Sequence, residues 1–163
     1  MSAAHGTREF ALEEWLAITV QACEELALRQ LGCASFAVGA MTGEIPVTDV
    51  GSYVALVGDE TSAQIGVVAS IEGCRALGRR MLCMEPGEEI SDDDMCDAVG
   101  EIANILGGST KRLVAEQMPG FKLGLPLFMQ GRLLASDRQE VGMVAVKLDD
   151  IDAHLLVVRR KAQ

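Results

Sequence analysis

The segment that most constrains the fold of this 163-residue chain runs from Ser91 to about Gln117. Ser91 is a favourable N-cap, and three aspartates follow it in the first turn, where the helix dipole stabilises negative charge. On a helical wheel the apolar residues form one broad face, which contains Met95, Ala98, Val99, Ile102, Ala103, Leu106, Leu113 and Val114. A long helix with such a face is stable only against another layer, so this segment predicts a helix packed on a core.

The rest of the chain predicts a second layer made of strands. The secondary structure of residues 33–46 is ambiguous, although Phe36 and Val38 favour a short strand. Gly32 offers a stop for the preceding helix. The other predicted elements are helices over about 9–30 and 71–84, a hairpin of strands over 47–57 and 61–70, and strands over 122–129, 139–148 and 154–160. This order predicts an α+β fold with long helices packed on a largely antiparallel β-sheet.

Length and composition favour one domain over residues 1–163, with a flexible N-terminus over residues 1–8. Apolar residues make up 49% of the chain, which is enough for a core, and no repeat or linker-like tract divides it. No apolar run approaches the ~18 residues that would span a membrane. The N-terminus also lacks the apolar stretch of a secretory signal. We therefore expect a cytoplasmic protein that does not enter a membrane.

The negative charge of the chain disfavours anionic partners. The formal net charge is −10, and eight of the 24 acidic residues lie between Glu85 and Glu101. Nucleic acids and anionic membranes reward basic surfaces, so neither is an expected partner. Five cysteines without a CxxC pair and only two histidines give no metal-ligand spacing, so no metal site is expected.

One polar stripe lies opposite the apolar face of the long helix. Glu101, Asn104 and Gly108 all fall within about 40° of Asp97 on the wheel. Such a stripe is usually only a solvated surface, but a glycine in mid-helix costs about 1 kcal/mol relative to alanine. Gly108 therefore favours a second interpretation, in which the backbone of the helix approaches another molecule closely.

The spacing of these residues resembles a family motif. The segment Asp97-Ala-Val-Gly-Glu101-Ile-Ala-Asn104, with Pro126 22 positions after Asn104, matches D/S-x3-E-x2-N-x21-P. This pattern is typical of the CheC/CheX/FliY chemotaxis phosphatases. The N-terminal helix has no second E-x2-N, and one copy of the motif per chain is similar to the CheX arrangement.

The resemblance implies a phosphatase that hydrolyses the aspartyl phosphate of a CheY-like response regulator. It gives Asn104 the role of positioning the attacking water, and it pairs Glu101 with a lysine of the regulator. Asp97, Gly108 and Pro126 would support the site or contact the partner. The Mg²⁺ ion is expected in the regulator, and this chain would bind no cofactor. The resemblance also implies a homodimer joined at sheet edges.

Two other classes of function stay open at this point. The chain could be a non-catalytic module that binds a response regulator, or a structural dimer whose acidic face is only a soluble surface. Assembly is expected in any case, because the apolar strand segments Val141–Val146 and Leu155–Val158 are expected at an unprotected sheet edge, which invites pairing.

Overall fold

The computed structural model of the chain describes residues 8–44, 46 and 49–161. It contains three helices, α1 (Leu12–Arg29), α2 (Ile71–Met81) and α3 (Asp92–Val114). Its seven strands are β1 (Phe36–Thr42), β2 (Val50–Val57), β3 (Ser62–Ala69), β4 (Lys122–Leu123), β5 (Leu127–Gln130), β6 (Gln139–Leu148) and β7 (Ile151–Arg160).

Two sequence predictions fall partly outside the described residues. These are the flexible N-terminus, of which residues 1–7 are not described, and the start of the first hairpin strand at Val47. Arg8, which the prediction placed in the flexible terminus, donates a hydrogen bond to Oε1 of Gln117 at 2.9 Å and forms an ion pair with Glu14. This residue is therefore tied to the turn after α3 and to α1.

The strands form one sheet in the order β1-β6-β7-β3-β2-β4, and β5 also pairs with β2. Every strand pair is antiparallel. The helices contact one another and the strands, and they share a single large core with one face of the sheet. A smaller apolar cluster on the other face contains Val68, Met143, Leu156 and Val158. The α+β class and the antiparallel sheet are thus confirmed.

The helix predicted from the sequence begins where expected. The Ser91 hydroxyl accepts a hydrogen bond from the Asp94 backbone N–H at 3.1 Å, which caps α3. The helix ends at Val114 rather than near Gln117. The backbone N–H groups of Gln117 and Met118 both donate to the Val114 carbonyl, so the chain turns there before Pro119.

Three strands differ from their predicted bounds. The ambiguous region contains β1, a strand of seven residues, so the chain has one more strand before α2 than expected. The predicted strand over 122–129 is divided into β4 and β5 by Gly124-Leu125-Pro126. The last strand starts at Ile151, because Asp149 and Asp150 make a two-residue hairpin turn in which Asp149 has a φ of +53°.

The expectation that Val141–Val146 and Leu155–Val158 lie at a sheet edge is wrong. These segments belong to β6 and β7, which lie inside the sheet because β1 covers β6 and β3 covers β7. The edges of the sheet are β1 on one side and the β4/β5 segment on the other. Any pairing between subunits through sheet edges must therefore use one of those two elements.

Asp149 fastens the β6–β7 turn to two other elements. Its Oδ1 accepts hydrogen bonds from the backbone N–H groups of Ala34 and Ser35, both at 2.9 Å, and its Oδ2 contacts Arg80 of α2 at 2.7 Å. The bond from the Ser35 backbone is the main cause that lowers the pKa of Asp149. The charged carboxylate therefore joins α2, the hairpin turn and the chain that enters β1.

Asp149→Asn tests this contribution, because asparagine tolerates the same backbone conformation but carries no charge. A carboxyl whose pKa is lowered on folding stabilises the fold at pH values above its pKa in the unfolded chain, 3.8. It loses that contribution as the pH falls through its pKa in the folded protein. We expect a lower urea midpoint than wild type at pH 7, with a difference that shrinks below pH 3.8. The exposed neighbour Asp150, changed to Asn, is the control. If the difference in urea midpoint stayed as large below pH 3.8, the stabilising role of the charged Asp149 carboxylate would be contradicted.

Candidate functional site

The predicted polar stripe is present on α3, and we call Asp97, Glu101, Asn104 and Gly108 the α3 stripe. Successive members are three or four residues apart, so their positions adjoin along one side of the helix. Asp97 and Glu101 are exposed, whereas Asn104 and Gly108 are half-buried. The wheel placed all four residues in solvent, but Asn104 and Gly108 are only partly exposed, and at Gly108 the Leu123 side chain lies beside the helix.

The polar side chains of the α3 stripe are unpaired within the described part of the chain. Asp97, Glu101 and Asn104 form no hydrogen bond or ion pair there, and each is thus available to a second molecule. Arg112, near the C-terminal end of α3, is engaged by contrast: it pairs with Glu25 at 3.0 Å. The stripe therefore adds no polar contact to the fold that a partner would have to break.

Pro126 lies against the same helix. A Cβ atom built on Gly100 would be 3.8 Å from the Pro126 Cβ, so the proline ring packs on α3 one residue before Glu101. Pro126 also immediately precedes β5, where its missing N–H costs no ladder hydrogen bond. The fold thus brings Pro126 to the stripe, and all five residues predicted from the motif lie on or against α3.

Several residues around the stripe were not predicted. Leu123 contacts the helix at Gly107 and Gly108, and Ser52, fully buried on β2, lies beneath Gly100. Leu125 stands beside Pro126 with 90% of its surface exposed. The run of leucines around Pro126 is visible in the sequence, but its position against α3 follows only from the pairing of β4 and β5 with β2.

The two adjacent glycines of α3 have different surroundings. A Cβ on Gly107 would lie 2.3 Å from Cγ1 of Val54 on β2, so the helix and the sheet touch closely at this point. A Cβ on Gly108 would meet its nearest neighbour, Cδ2 of Leu123, at 3.9 Å, which is ordinary contact. Packing therefore requires the glycine at 107, whereas the position of Gly108 has room for a methyl group.

Cys96 is the thiol nearest the stripe in sequence, and its environment disfavours nucleophilic chemistry. Partial burial, followed by the charges of Asp92, Asp93 and Asp97, raises the pKa of this thiol. A thiol with a raised pKa is protonated at neutral pH and is a poor nucleophile. The groups that the stripe offers for chemistry are thus a carboxylate and a carboxamide.

Two further features concern metal binding and membrane spanning. Among the residues that the structure describes, no group of three or more His, Cys, Asp or Glu side chains is placed to hold a metal ion. None of the helices in those same residues has the length and apolar character needed to cross a membrane.

The comparisons with known proteins converge on one family. Residues 50–148 match the family described as chemotaxis phosphatase CheX. CheX from Vibrio vulnificus has 17% identity and a TM-score of 0.74, with 90% of this chain and 99% of that chain covered. A CheC-like superfamily protein from Shewanella sp. PV-4 has 14% identity and a TM-score of 0.75, with 93% and 100% covered.

A third similar structure is the CheX–CheY–BeF3–Mg²⁺ complex from Borrelia burgdorferi. It has 16% identity and a TM-score of 0.73, and the match covers 90% of this chain and 98% of that chain. No curated protein sequence matches the chain. At these identities the structural likeness shows the fold, while the family match covers more than half of the chain.

Paired substitutions test the different surroundings of the two glycines. Gly107→Ala should lower the free energy of unfolding by about 1–3 kcal/mol, because the added methyl overpacks the contact with Val54. Gly108→Ala should raise it by up to about 1 kcal/mol through helix propensity, since the methyl finds space. Urea unfolding of both variants measures the difference. If Gly108→Ala unfolds as easily as Gly107→Ala, Gly108 is a packing residue as well.

Proposed function

The chain belongs to the CheX family of chemotaxis phosphatases, and on that premise we propose that it hydrolyses the aspartyl phosphate of a CheY-like response regulator in the cytoplasm. The observation that carries the proposal is the pair Glu101 and Asn104. Their side chains adjoin on the outer side of α3 and have no polar partner in the described chain. The relative from Borrelia burgdorferi, which was solved in complex with CheY, supports the choice of partner.

The reaction is the attack of water on the phosphorus of the aspartyl phosphate. The new P–O bond forms as the bond to the aspartyl oxygen breaks; the carboxylate leaves with the electron pair, and the water proton stays on the released phosphate or passes to solvent. The regulator supplies the phosphoryl group and a Mg²⁺ ion that neutralises its oxygens. This chain would bind no cofactor. It contributes by positioning the attacking water against the phosphoryl group, and positioning is the larger part of catalysis in phosphoryl transfer.

Asn104 suits the task of holding the water. A carboxamide accepts a hydrogen bond from the water through its oxygen and donates one to a phosphoryl oxygen through its NH₂ group. It does so without adding negative charge beside an anionic substrate. The half-buried position of Asn104 restricts its side chain, so less rotamer entropy is lost when the complex forms.

Glu101 suits docking better than chemistry. Its carboxylate is exposed and unpaired, four residues after Asp97 on the same side of α3. We propose that it pairs with a lysine at the phosphorylation site of the regulator, with Asp97 supporting the attraction. An ion pair in water contributes little, but the same pair gains strength and fixes register when the interface excludes water. Gly108 and Pro126 would let the regulator's backbone approach α3 closely.

We also propose a homodimer joined through β1. Its sequence, Phe-Ala-Val-Gly-Ala-Met-Thr, has no charged residue or proline, and Val38 and Met41 are 53% and 54% exposed. Edge strands that lack charged residues and prolines favour pairing with another chain. The opposite edge is poorly suited, because Gly124–Pro126 divides it. Pairing at β1 leaves the α3 stripe, at the far side of the sheet, free in each subunit.

Single substitutions in the α3 stripe separate chemistry from docking. Asn104→Ala should lower kcat by about 10²-fold or more while leaving the melting temperature unchanged, because the amide has no hydrogen-bond partner among the described residues. Glu101→Ala and Gly108→Leu should mainly raise KM. Glu116→Ala, an exposed acid of the segment after α3, is the matched control. The measurement is loss of the phosphoryl group from each phosphorylated CheY-like regulator of the host.

Two results of that experiment would change the assignment. Wild-type turnover in a Glu101→Ala/Asn104→Ala double variant would exclude the proposed mechanism. Tight binding of an activated regulator without any acceleration by the wild-type protein would instead identify a non-catalytic binding module.

The dimer is tested by sedimentation equilibrium. We expect a mass twice the 17.4 kDa of the chain, and a shift toward the monomer in a Val38→Lys/Met41→Lys variant, because charges on an edge strand oppose pairing. Turnover per site should be retained in that variant. A monomer mass that does not depend on concentration would contradict the proposal.

A further inference from the structure

An extended segment, residues 123–126, lies beside α3 from Gly100 to Gly108. At one end the Leu123 side chain contacts the helix at Gly107 and Gly108, and at the other Pro126 contacts it at Gly100. Eight helical residues span about 12 Å, and three extended residues span about 10 Å. The segment therefore runs beside the helix in the opposite direction, and Leu125 lies between the two contacts, along the stretch of α3 that carries Glu101 and Asn104.

Leu125 is held in an exposed position by its neighbours. It is 90% exposed, the highest value among the large hydrophobic residues that the structure describes. The Gly124 N–H donates to the Ala55 carbonyl at 2.8 Å on one side, and Pro126 packs on α3 on the other. After Pro126 the chain pairs with β2 from Leu127 onward. A fixed backbone presents an apolar side chain at little ordering cost on binding.

We propose that Leu125 is an apolar anchor for the phosphorylated response regulator, and that it is buried against the regulator beside the phosphoryl group addressed by Asn104. This inference rests on the proposed function. Protein–protein interfaces commonly bury apolar side chains at the centre and place polar groups at the rim, and a few central residues carry most of the binding energy. Burial of Leu125 would also exclude bulk water from one side of the site, which strengthens the contacts of Glu101 and Asn104.

Charge favours the regulator, rather than a second copy of this chain, as the molecule that binds at Leu125. Asp97 and Glu101 give the α3 stripe two exposed carboxylates without a partner among the described residues, and the formal net charge of the chain is −10. Two copies that met at this surface would bring their acidic helices together, which is unfavourable. A regulator that presents a lysine at its phosphorylation site complements the same surface.

The test compares Leu125→Asp with Leu125→Met and with Leu134→Asp. Leu134 is 75% exposed and lies near Gly43 and Val141, at the β1 and β6 side of the sheet, so it is a matched control for a new surface charge. Three quantities are measured for each variant: the Kd for the Mg²⁺-loaded regulator activated with beryllofluoride, the KM and kcat of dephosphorylation, and the urea midpoint.

We expect Leu125→Asp to raise Kd and KM by about tenfold or more, as for loss of a buried anchor, with an unchanged urea midpoint. Leu125→Met should stay within about threefold of wild type because it conserves volume, and Leu134→Asp should match wild type. Wild-type Kd and KM in Leu125→Asp, or equal weakening in Leu134→Asp, would overturn the inference. So would a change of oligomeric mass in Leu125→Asp without a change in Kd.

The same measurements distinguish failure of the anchor from failure of the proposed function. If wild-type protein binds the activated regulator but accelerates nothing, the phosphatase proposal fails, and Kd still decides the role of Leu125. If Glu101→Ala weakens binding and Leu125→Asp does not, only the anchor fails. Absence of wild-type binding to every activated regulator of the host would overturn both.

Discussion

The close contact between α3 and β2 is the interaction on which the rest of the structure depends. Val54 lies so near Gly107 that no side chain fits between helix and sheet, and Val99, Ala103 and Leu106 are completely buried in the same layer. With this face held against the sheet, the rotation of α3 about its own axis is determined. The opposite side of the helix, which carries the candidate site, is thereby directed outward.

Stability and candidate function are thus carried by different sides of one helix. The buried side supplies apolar surface, and the fold gains from removing that surface from water. The stripe side contributes unpaired polar groups and a glycine with no packing requirement, and none of these stabilises the monomer through a contact that the structure shows. This separation is the physical reason to expect that changes at Glu101 and Asn104 alter a partner reaction without altering the fold.

The two edges of the sheet also have different characters. The β1 edge is seven residues long and uncharged, with one register shift between Val38 and Met41, so it offers a longer pairing surface than the opposite edge. The β4/β5 edge is short and interrupted at Gly124–Pro126, where Pro126 packs against α3 and Leu125 stays exposed. The interruption therefore serves the site by protecting the edge beside it from strand pairing.

The sequence by itself determined the features that depend on local spacing. The Ser91 cap, the buried face of α3 and the alignment of Asp97, Glu101 and Asn104 follow from helical periodicity within a few turns, and the motif that they form was enough to indicate the family. Tertiary structure alone decided the contact of Pro126 with Gly100, the partial burial of Asn104 and the exposure of Leu125. It also placed β6 and β7 inside the sheet. These features depend on which strands pair and in what register, and such pairing joins residues far apart in the chain, where local propensity carries no information.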